Sequence, residues 1–409
     1  MIKLSLLYDL LYLFLLIVCL ILTQENYSHL LSFSIPSTKV IVTCLLICLI
    51  YFFLANSNIG FYDAIFLTFF RFSSVYPVIV FSLFYSESLT ALYFSIVFYI
   101  TLHALLKIPF PNVSMRRTKV FSKRAMISCM LLISALMVLV IFVNNGLPSL
   151  DALNYKNIYK VRGEYNGGAL IALLQSFTTF FIVPFLIFKL RGAYSFILPF
   201  ALGLLIFLSS GGKFILAMCL VFFGLKFILR YFSVRELPLI FITPVFCALI
   251  ALQTEYDFLA HFLFFRPFMM PAWVTYEYFD FANIVGFYHY NDHFFTGLFA
   301  ETINLPVSVG WQMFPNSGSY VNTGSIGYSY FNMAWFPFVE VGFIVVIVRS
   351  FSYIGRNSFL PEDKSLIIAM LVVLGIYLGT TNILTALKTR MFLAALLAIF
   401  LSVKRKRYE

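Results

Sequence analysis

Charged side chains are scarce in this sequence. Only 11% of its 409 residues are Asp, Glu, Lys or Arg, whereas soluble globular proteins carry about a quarter. A chain of this length with so few charges does not match a soluble fold. The composition therefore excludes a soluble enzyme, a nucleic-acid-binding protein and a disordered scaffold.

The common cysteine, metal and nucleotide motifs are also missing. The six cysteines each lie in an apolar run, and none forms a CxxC or Cys/His spacing, which excludes a disulfide framework and a zinc site. There is no HExxH motif, and the glycines at 211–212 before Lys213 are too few for a Walker loop. We see no internal repeat and no low-complexity segment.

Long apolar runs are present instead, with 62% hydrophobic residues and a mean hydropathy of +0.95. A bilayer core needs about 20 apolar residues per helix. The sequence therefore predicts an all-α polytopic membrane protein, with a single integral membrane domain over 1–409 and about twelve transmembrane helices. The spans are expected near 4–22, 40–54, 64–85, 89–106, 126–143, 170–188, 193–208, 214–229, 237–252, 334–348, 365–378 and 384–401.

The basic residues indicate the orientation of the chain. They collect in five stretches that an even number of spans places on the same side as Lys3, and by the positive-inside rule that side is the cytoplasm. Both termini are therefore predicted to be cytoplasmic. The first span lacks a following small-residue cleavage site and is predicted to be an anchor. The five stretches are 107–124, 189–191, 226–235, 349–364 and 404–407.

Two long segments are predicted on the opposite, periplasmic side. They are a basic loop at 144–168 and a large loop at 253–333. Loops of such length are usually functional. Prolines including Pro267 and Pro271 are expected to cut the large loop into short pieces, of which 272–285 is predicted to be an interfacial helix.

Basic residues on the periplasmic side depart from the orientation rule, so each one needs a reason. Lys156, Lys160 and Arg162 lie in a basic, aromatic, glycine-ended segment before the sixth span. Arginine pairs with phosphate through a planar fork, and lysine adds a point charge. We interpret these three as a phosphate-binding candidate, and the alternative is snorkelling to lipid headgroups.

Four further cations are candidates on this side. Arg266 is the only basic residue of the large loop, either a salt-bridge partner or a clamp for a lipid diphosphate, and its aromatic surroundings favour the clamp. Lys213 follows two glycines at the predicted start of a span, where backbone N–H groups favour an anion. Lys388 and Arg390 lie inside the outer end of the last span, where a cation needs a partner or a wet cavity.

Acids and histidines on the same side are candidates for proton transfer or substrate binding. Glu164, Glu277 and His289 belong to this group, and a helix would place Glu277 and Asp280 on one face. A metal site at His289 is not predicted, because the surrounding residues are typical of a polar turn. The alternative for each acid is a solvated loop residue.

Residues 316–328 combine amides, hydroxyls and aromatic rings, the mixture with which proteins bind carbohydrate. Asn322 and Tyr328 are the binding candidates in this stretch. The alternative is an ordinary glycine-rich turn. The basic residues on the same membrane face favour the sugar-binding interpretation.

The combined layout resembles the Wzy-type O-antigen polymerases, the oligosaccharide repeat-unit polymerases of the bacterial inner membrane. The resemblance rests on the span number, the cytoplasmic termini, the basic loop with Arg162-Gly163-Glu164 and the larger second loop. The Ser-Gly-Gly-Lys run at 210–213 and the Asn-Thr-Gly run at 322–324 are local similarities.

One pattern of some members, Arg-x10-Gly in both outer loops, is not present. Where the pattern requires a glycine after Arg162, this chain has Leu173. Where it requires one after Arg266, the chain has Glu277. The nearest match is Lys156 with Gly167. The roles that the pattern carries in those members are therefore not transferred to this chain.

The resemblance implies a membrane glycosyltransferase with a GT-C-like architecture, active in lipopolysaccharide biosynthesis. It would transfer a growing glycan from undecaprenyl diphosphate to a lipid-linked repeat unit. The expected partners are the lipid-linked donor and acceptor, membrane lipid and a chain-length regulator protein, without nucleic acid, metal or other cofactor. Arg162, Arg266 and Lys213 would stabilise the departing diphosphate, and Glu164, Glu277 or a histidine would act as base.

Three other functions fit parts of the sequence. An O-antigen ligase would have the same donor, a similar number of spans and a comparable outer loop. A lipid-linked oligosaccharide flippase would be expected to have smaller outer loops and more charged residues in its spans, where we find few, among them Asp9, Arg71 and Glu340. A mannosyltransferase that uses a lipid phosphate sugar would need paired acids in the first outer loop, which holds only Glu25.

Overall fold

The regular structure is helical throughout the part of the chain that the computed structural model describes. No strand occurs in that part, so the predicted all-α class is confirmed. The described residues are 2–23, 37–55, 59–85, 89–109, 122–146, 148, 150–153, 157, 161, 165, 168–212, 214–254, 257–287, 324–383, 386–387 and 392–404.

In the described part of the chain, helices occupy each of the twelve predicted positions, and two further helices, α10 and α11, lie in the predicted large loop. The first seven are α1 Ile2–Leu22, α2 Ser37–Ala55, α3 Phe61–Phe84, α4 Thr90–Lys107, α5 Lys123–Asn145, α6 Gly168–Phe177 continued to Lys189, and α7 Tyr194–Ser210. The others are α8 Phe214–Tyr231, α9 Leu239–Leu252, α10 over 257–285, α11 Ser325–Met333, α12 Phe338–Arg356, α13 Pro361–Tyr377 and α14 Phe392–Ser402.

Seven of the described helices are long and apolar enough to cross a membrane. They are α3, α4, α5, α6, α8, α12 and the stretch Val234–Leu252 that contains α9. The helices α1, α7 and α14 are apolar but contribute shorter stretches. A polytopic membrane protein is therefore the architecture that these helices support.

Three helices contain a wide π-helical segment, and each segment is followed by a proline. The π segments are Arg71–Val75, Thr178–Ile182 and His261–Met269, and Pro77, Pro184 and Pro271 are each the second residue of the next α-helical stretch. Proline lacks an N–H and clashes with the carbonyl four residues earlier, and a π segment at that place lets the helix continue.

The prediction that Pro267 and Pro271 cut the chain into short pieces is wrong. Pro267 lies inside a π segment, and α10 runs through both prolines from Asp257–Ala260 through His261–Met269 to Met270–Val285. The prediction of a helix over 272–285 is confirmed, and the helix starts earlier than expected.

The chain forms two compact units, each assembled from separate stretches. Unit 1 contains residues 1–109, 235–348 and 372–384. Its core includes Tyr12 of α1, whose ring stacks on Phe72 of α3 at 4.6 Å and meets Phe241 of α9 and Phe268 of α10 edge-on at 6.0 Å each. Such ring pairs contribute about 0.5–1.5 kcal/mol each beyond their burial.

Unit 2 contains residues 110–234, 349–371 and 385–409. Lys189 forms a buried ion pair with Asp363, and Lys123 pairs with Glu362 at 3.1 Å. Lys226 donates from Nζ to the Ile187 carbonyl at the end of α6 at 2.5 Å, where a cation complements the helix dipole. Four stretches predicted to share one side of the membrane thus meet at one end of this unit.

Candidate functional site

Three of the twelve residues predicted to carry function belong to the described part of the chain. Arg266 and Glu277 lie on α10, and Tyr328 lies on α11. The other nine lie outside the described residues, and their roles stay predictions. These nine are Lys156, Lys160, Arg162, Glu164, Lys213, His289, Asn322, Lys388 and Arg390.

The helices α10 and α11 pack against each other through aromatic rings in unit 1. The Phe279 and Tyr330 rings stack with their centroids 3.9 Å apart and an angle of 10° between their planes. The Tyr278 and Phe331 rings meet edge-on at 5.6 Å. This packing brings the helix that carries Arg266 and Glu277 next to the helix that carries Tyr328.

Arg266 is exposed, and its guanidinium carbon lies 5.4 Å from the centre of the Phe262 ring, one turn earlier on α10. Among the described residues it forms no ion pair. Both sequence interpretations, salt-bridge partner and anion clamp, stay predictions. A guanidinium over an aromatic face keeps its outward N–H groups available to an anion.

Glu277 is held in place by two donors. Its Oε1 accepts a hydrogen bond from the Tyr85 hydroxyl at 2.5 Å and another from Trp273 Nε1 at 2.8 Å. Burial raises the pKa of Tyr85 above its usual range, and the hydrogen bond to Glu277 and the negative charge of Glu277 add to the rise. Tyr85 therefore stays a neutral donor, and the carboxylate has a fixed orientation suited to a general base.

Asp280 follows Glu277 by one turn, on the same face of α10 as the spacing predicts. Its partial burial, and secondly the negative charge of Glu277, raise its pKa above the ordinary value of 3.8. Two carboxylates with different environments thus lie side by side.

Tyr328 is 6% exposed, and its carbonyl accepts a hydrogen bond from Asn332 Nδ2 at 2.9 Å. Exposed rings near α11 include those of Trp335 and Phe336, which follow it in the chain, and that of Phe287, which meets the Tyr330 ring edge-on at 5.6 Å. Tyr330 meets the Trp335 ring edge-on at 6.0 Å. The aromatic surface open to a ligand near α11 therefore comes from these rings and not from Tyr328.

A small cavity lies beside α10 and α11 in unit 1. Ser73, Ser74, Thr275, Gly324 and Gly379 supply its polar lining. Its volume of about 10 Å³ is enough for roughly one water molecule. It is too small for a sugar or a phosphate.

Sequence reasoning did not assign a role to the residues that orient Glu277. Trp273 precedes Glu277 by one helical turn, so its hydrogen bond was accessible from the spacing alone. Tyr85 lies 192 residues away, and no local pattern links it to α10. Within the described residues no group of three His, Cys, Asp or Glu side chains could hold a metal ion.

Comparisons with protein-family profiles, with curated proteins and with solved structures gave no match for this chain. The function is therefore argued from its own residues.

Proposed function

We propose that the protein is an O-antigen or related surface-polysaccharide polymerase of the bacterial inner membrane. It would transfer the growing glycan from undecaprenyl diphosphate to a lipid-linked repeat unit at the periplasmic face. The observation that carries this proposal is the set of cations placed against the positive-inside rule on the predicted outer side. They are Lys156, Lys160, Arg162, Lys213, Arg266, Lys388 and Arg390.

The chemistry explains why cations are needed. The bond between the anomeric carbon of the glycan and the diphosphate oxygen breaks, and the electron pair stays on the diphosphate. A hydroxyl of the acceptor sugar forms the new bond to that carbon and loses its proton. Cations placed beforehand stabilise the charge on the diphosphate as it builds, and they do so most strongly in a low-dielectric site.

Arg266 and Glu277 supply the two roles within the described part of the chain. The exposed guanidinium of Arg266, supported by Phe262, suits the diphosphate. The oriented carboxylate of Glu277 suits the acceptor proton, because two hydrogen bonds fix one of its oxygens. The lipid carrier itself holds the energy of the transferred bond, so the proposal requires no nucleotide or metal.

The finer architecture belongs to the same proposal. We expect twelve spans in a GT-C-like arrangement, cytoplasmic termini, and periplasmic segments at 144–168 and 253–333. The ion pairs and the Lys226 hydrogen bonds that join four predicted cytoplasmic stretches at one end of unit 2 support the assignment of those stretches to one side.

A gel of lipopolysaccharide from the source bacterium, with this gene deleted, tests the proposal. A core that carries a single repeat unit, without a ladder of longer chains, is the expected result. A bare core with accumulated lipid-linked polymer would indicate a ligase instead. A bare core with single lipid-linked units trapped inside the cell would indicate a flippase, and an unchanged ladder would contradict a role in this glycan.

A further inference from the structure

Glu340 is an acid that the proposed mechanism does not use, yet it is completely buried in the first turn of α12. One carboxylate oxygen, Oε1, accepts a hydrogen bond from the Ile383 N–H at 2.7 Å. The other oxygen, Oε2, meets no described donor in hydrogen-bonding geometry, although the Ser325 hydroxyl, which donates to the Thr381 carbonyl, lies near the carboxyl group. No described Lys, Arg or His forms an ion pair with it. A buried carboxylate in this state is costly unless something neutralises it.

The chain around Glu340 supplies further oxygen atoms. After α13 ends, a turn at 378–383 folds over the start of α11 and over Glu340. The Leu378 carbonyl accepts from the Ser325 N–H at 3.0 Å, and the Thr381 carbonyl accepts from the Ser325 hydroxyl at 3.3 Å. The Ser325 hydroxyl also interacts with the Glu340 carboxyl group. Three chain segments of unit 1 therefore converge on one point.

A second buried oxygen on α11 lacks a partner. Ser329 follows Ser325 by four residues, so both hydroxyls lie on one face of the helix. Ser329 is fully buried, and its hydroxyl has no hydrogen-bond partner within the described residues. Buried polar groups are normally paired, and a serine in a helix can usually bond to its own backbone. Ser329 therefore places a second buried oxygen without a partner on the face of α11 that carries Ser325.

We propose that Glu340, Ser325, Ser329 and the carbonyls of the 378–383 turn form a binding site for a sodium ion. All the ligand atoms are oxygens, which suit hard cations. The single carboxylate carries one negative charge, so a monovalent ion gives a neutral buried site. Carbonyls beyond a helix C-terminus, together with a hydroxyl and a carboxylate in a membrane protein, are a known arrangement for sodium.

The site predicts that sodium stabilises the folded protein. A ligand that binds the folded state alone raises the unfolding midpoint as its concentration rises. The purified full-length protein in detergent is heated in sodium, potassium or choline chloride at equal ionic strength, and the unfolding temperature is followed by tryptophan fluorescence. We expect a rise of a few degrees in sodium over choline, saturating with concentration.

Glu340→Gln keeps the acceptor for the Ile383 N–H and removes the charge. This variant is expected to need roughly tenfold more sodium or to lose the response. Ser329→Ala, a smaller change, is expected to weaken the response to sodium. If Glu340→Gln does not fold, the test of the site relies on Ser329→Ala instead. Glu236→Gln, at a partly exposed acid of the same unit, is the control and should respond like wild type.

Equal unfolding temperatures of the wild type in sodium, potassium and choline would overturn the proposal. A full sodium response in Glu340→Gln would also overturn it. If Glu340→Gln does not fold, a full sodium response in Ser329→Ala would do the same. The measurement uses no glycan, so its outcome is independent of whether the protein is a polymerase.

Discussion

Asp280 makes the stability of the protein depend on pH. Its pKa is raised in the folded protein above the ordinary 3.8, by burial first and by Glu277 second. The folded state therefore favours the neutral carboxyl group. The contribution of Asp280 to stability is largest at acid pH, falls as the pH rises from the ordinary value through the raised pKa, and stays lower at neutral pH.

Asp280→Asn should remove this dependence. We expect a higher unfolding temperature than wild type at about pH 7, and a gap that closes at about pH 3, where the wild-type carboxyl group is largely protonated in both states. Thermal unfolding of both proteins across this range measures the gap. Asp151→Asn, at an exposed acid, is the control. A gap of the same size at both pH values would contradict the interpretation.

Arg266 tests the electrostatic mechanism directly. Arg266→Ala, like Arg162→Ala, should abolish polymer while the protein stays in the membrane, because a cation that stabilises the leaving diphosphate is lost. Arg266→Lys should retain part of the polymer if charge alone matters and fail if the guanidinium fork matters. A lipopolysaccharide gel of the complemented deletion strain measures both variants.

Arg235→Ala is the matched control for Arg266. Arg235 is also exposed and in the same unit, but the charge pattern predicts it on the cytoplasmic side. Polymer should be unaffected by this change. Wild-type ladders from both Arg266→Ala and Arg162→Ala would contradict the electrostatic mechanism.

The part of the site that could be predicted from the sequence is the type and approximate place of its residues. Arg266 was recognisable because it is the single cation of its segment, and Glu277 because of its spacing to Asp280. The orientation of Glu277 was not predictable, since Tyr85 reaches it from a distant helix. Hydrogen bonds between remote residues depend on packing, which has no local signature.

Between helices, a buried ion pair fastens α1 to α3. Arg71 Nη2 lies 2.8 and 2.9 Å from the two carboxylate oxygens of Asp9, and Arg71 also donates to the Tyr99 hydroxyl at 3.2 Å. Asp9 and Arg71 are both buried. Removing one partner from such a pair leaves a buried charge without its counter-ion.

Asp9→Leu should therefore lower the free energy of unfolding by about 3–5 kcal/mol. The double variant Asp9→Leu with Arg71→Leu should recover most of the loss, because no charge is then buried. Unfolding of the purified proteins in detergent with increasing denaturant gives both values. A double variant as unstable as the single one would show that the pair is not the cause.

Helix crossing in unit 1 depends on glycine. A Cβ atom at Gly375 of α13 would lie 2.9 Å from Phe69 Cβ and 3.0 Å from the Phe70 nitrogen of α3. The Ser73 hydroxyl donates to the Gly375 carbonyl at 2.8 Å across the same contact. Glycine at such a crossing lets helix backbones approach closely in a membrane.

Gly375→Ala is expected to cost about 1–3 kcal/mol of stability, because the added methyl group meets backbone atoms. Gly224 of α8 provides the control, since a Cβ there meets nothing within 4 Å. Gly224→Ala should instead stabilise by about 0.4–1 kcal/mol. Unfolding of the two variants under the same conditions compares them, and an equal effect would contradict the packing argument.

Hydropathy found the apolar helices but did not show that α10 is one long helix. This helix contains Arg266, Glu277 and Asp280 together with two prolines, so its sequence is typical of an outer loop. In the structure its apolar face packs on α9, α11 and α3, and the π segment accommodates the prolines. A hydropathy scan counts polar residues but contains no information on the helix face that they occupy.

For the whole molecule, the helix positions followed from the sequence while the division into two units did not. Each unit joins stretches far apart in the chain, such as residues 1–109 with 372–384 in unit 1. Such associations depend on which helix surfaces fit together. The apolar runs of the sequence are similar to one another, so they do not show which surfaces fit. The outward cations remain the feature that links the architecture to a reaction.

Reconstitution tests most directly whether the outward cations take part in the proposed reaction. The purified protein is placed in liposomes with undecaprenyl-diphosphate-linked repeat units and a metal chelator, without nucleotide. The account predicts a ladder of lipid-linked polymer that Arg266→Ala protein does not produce. Repeat units that stay single in the presence of folded wild-type protein would contradict it.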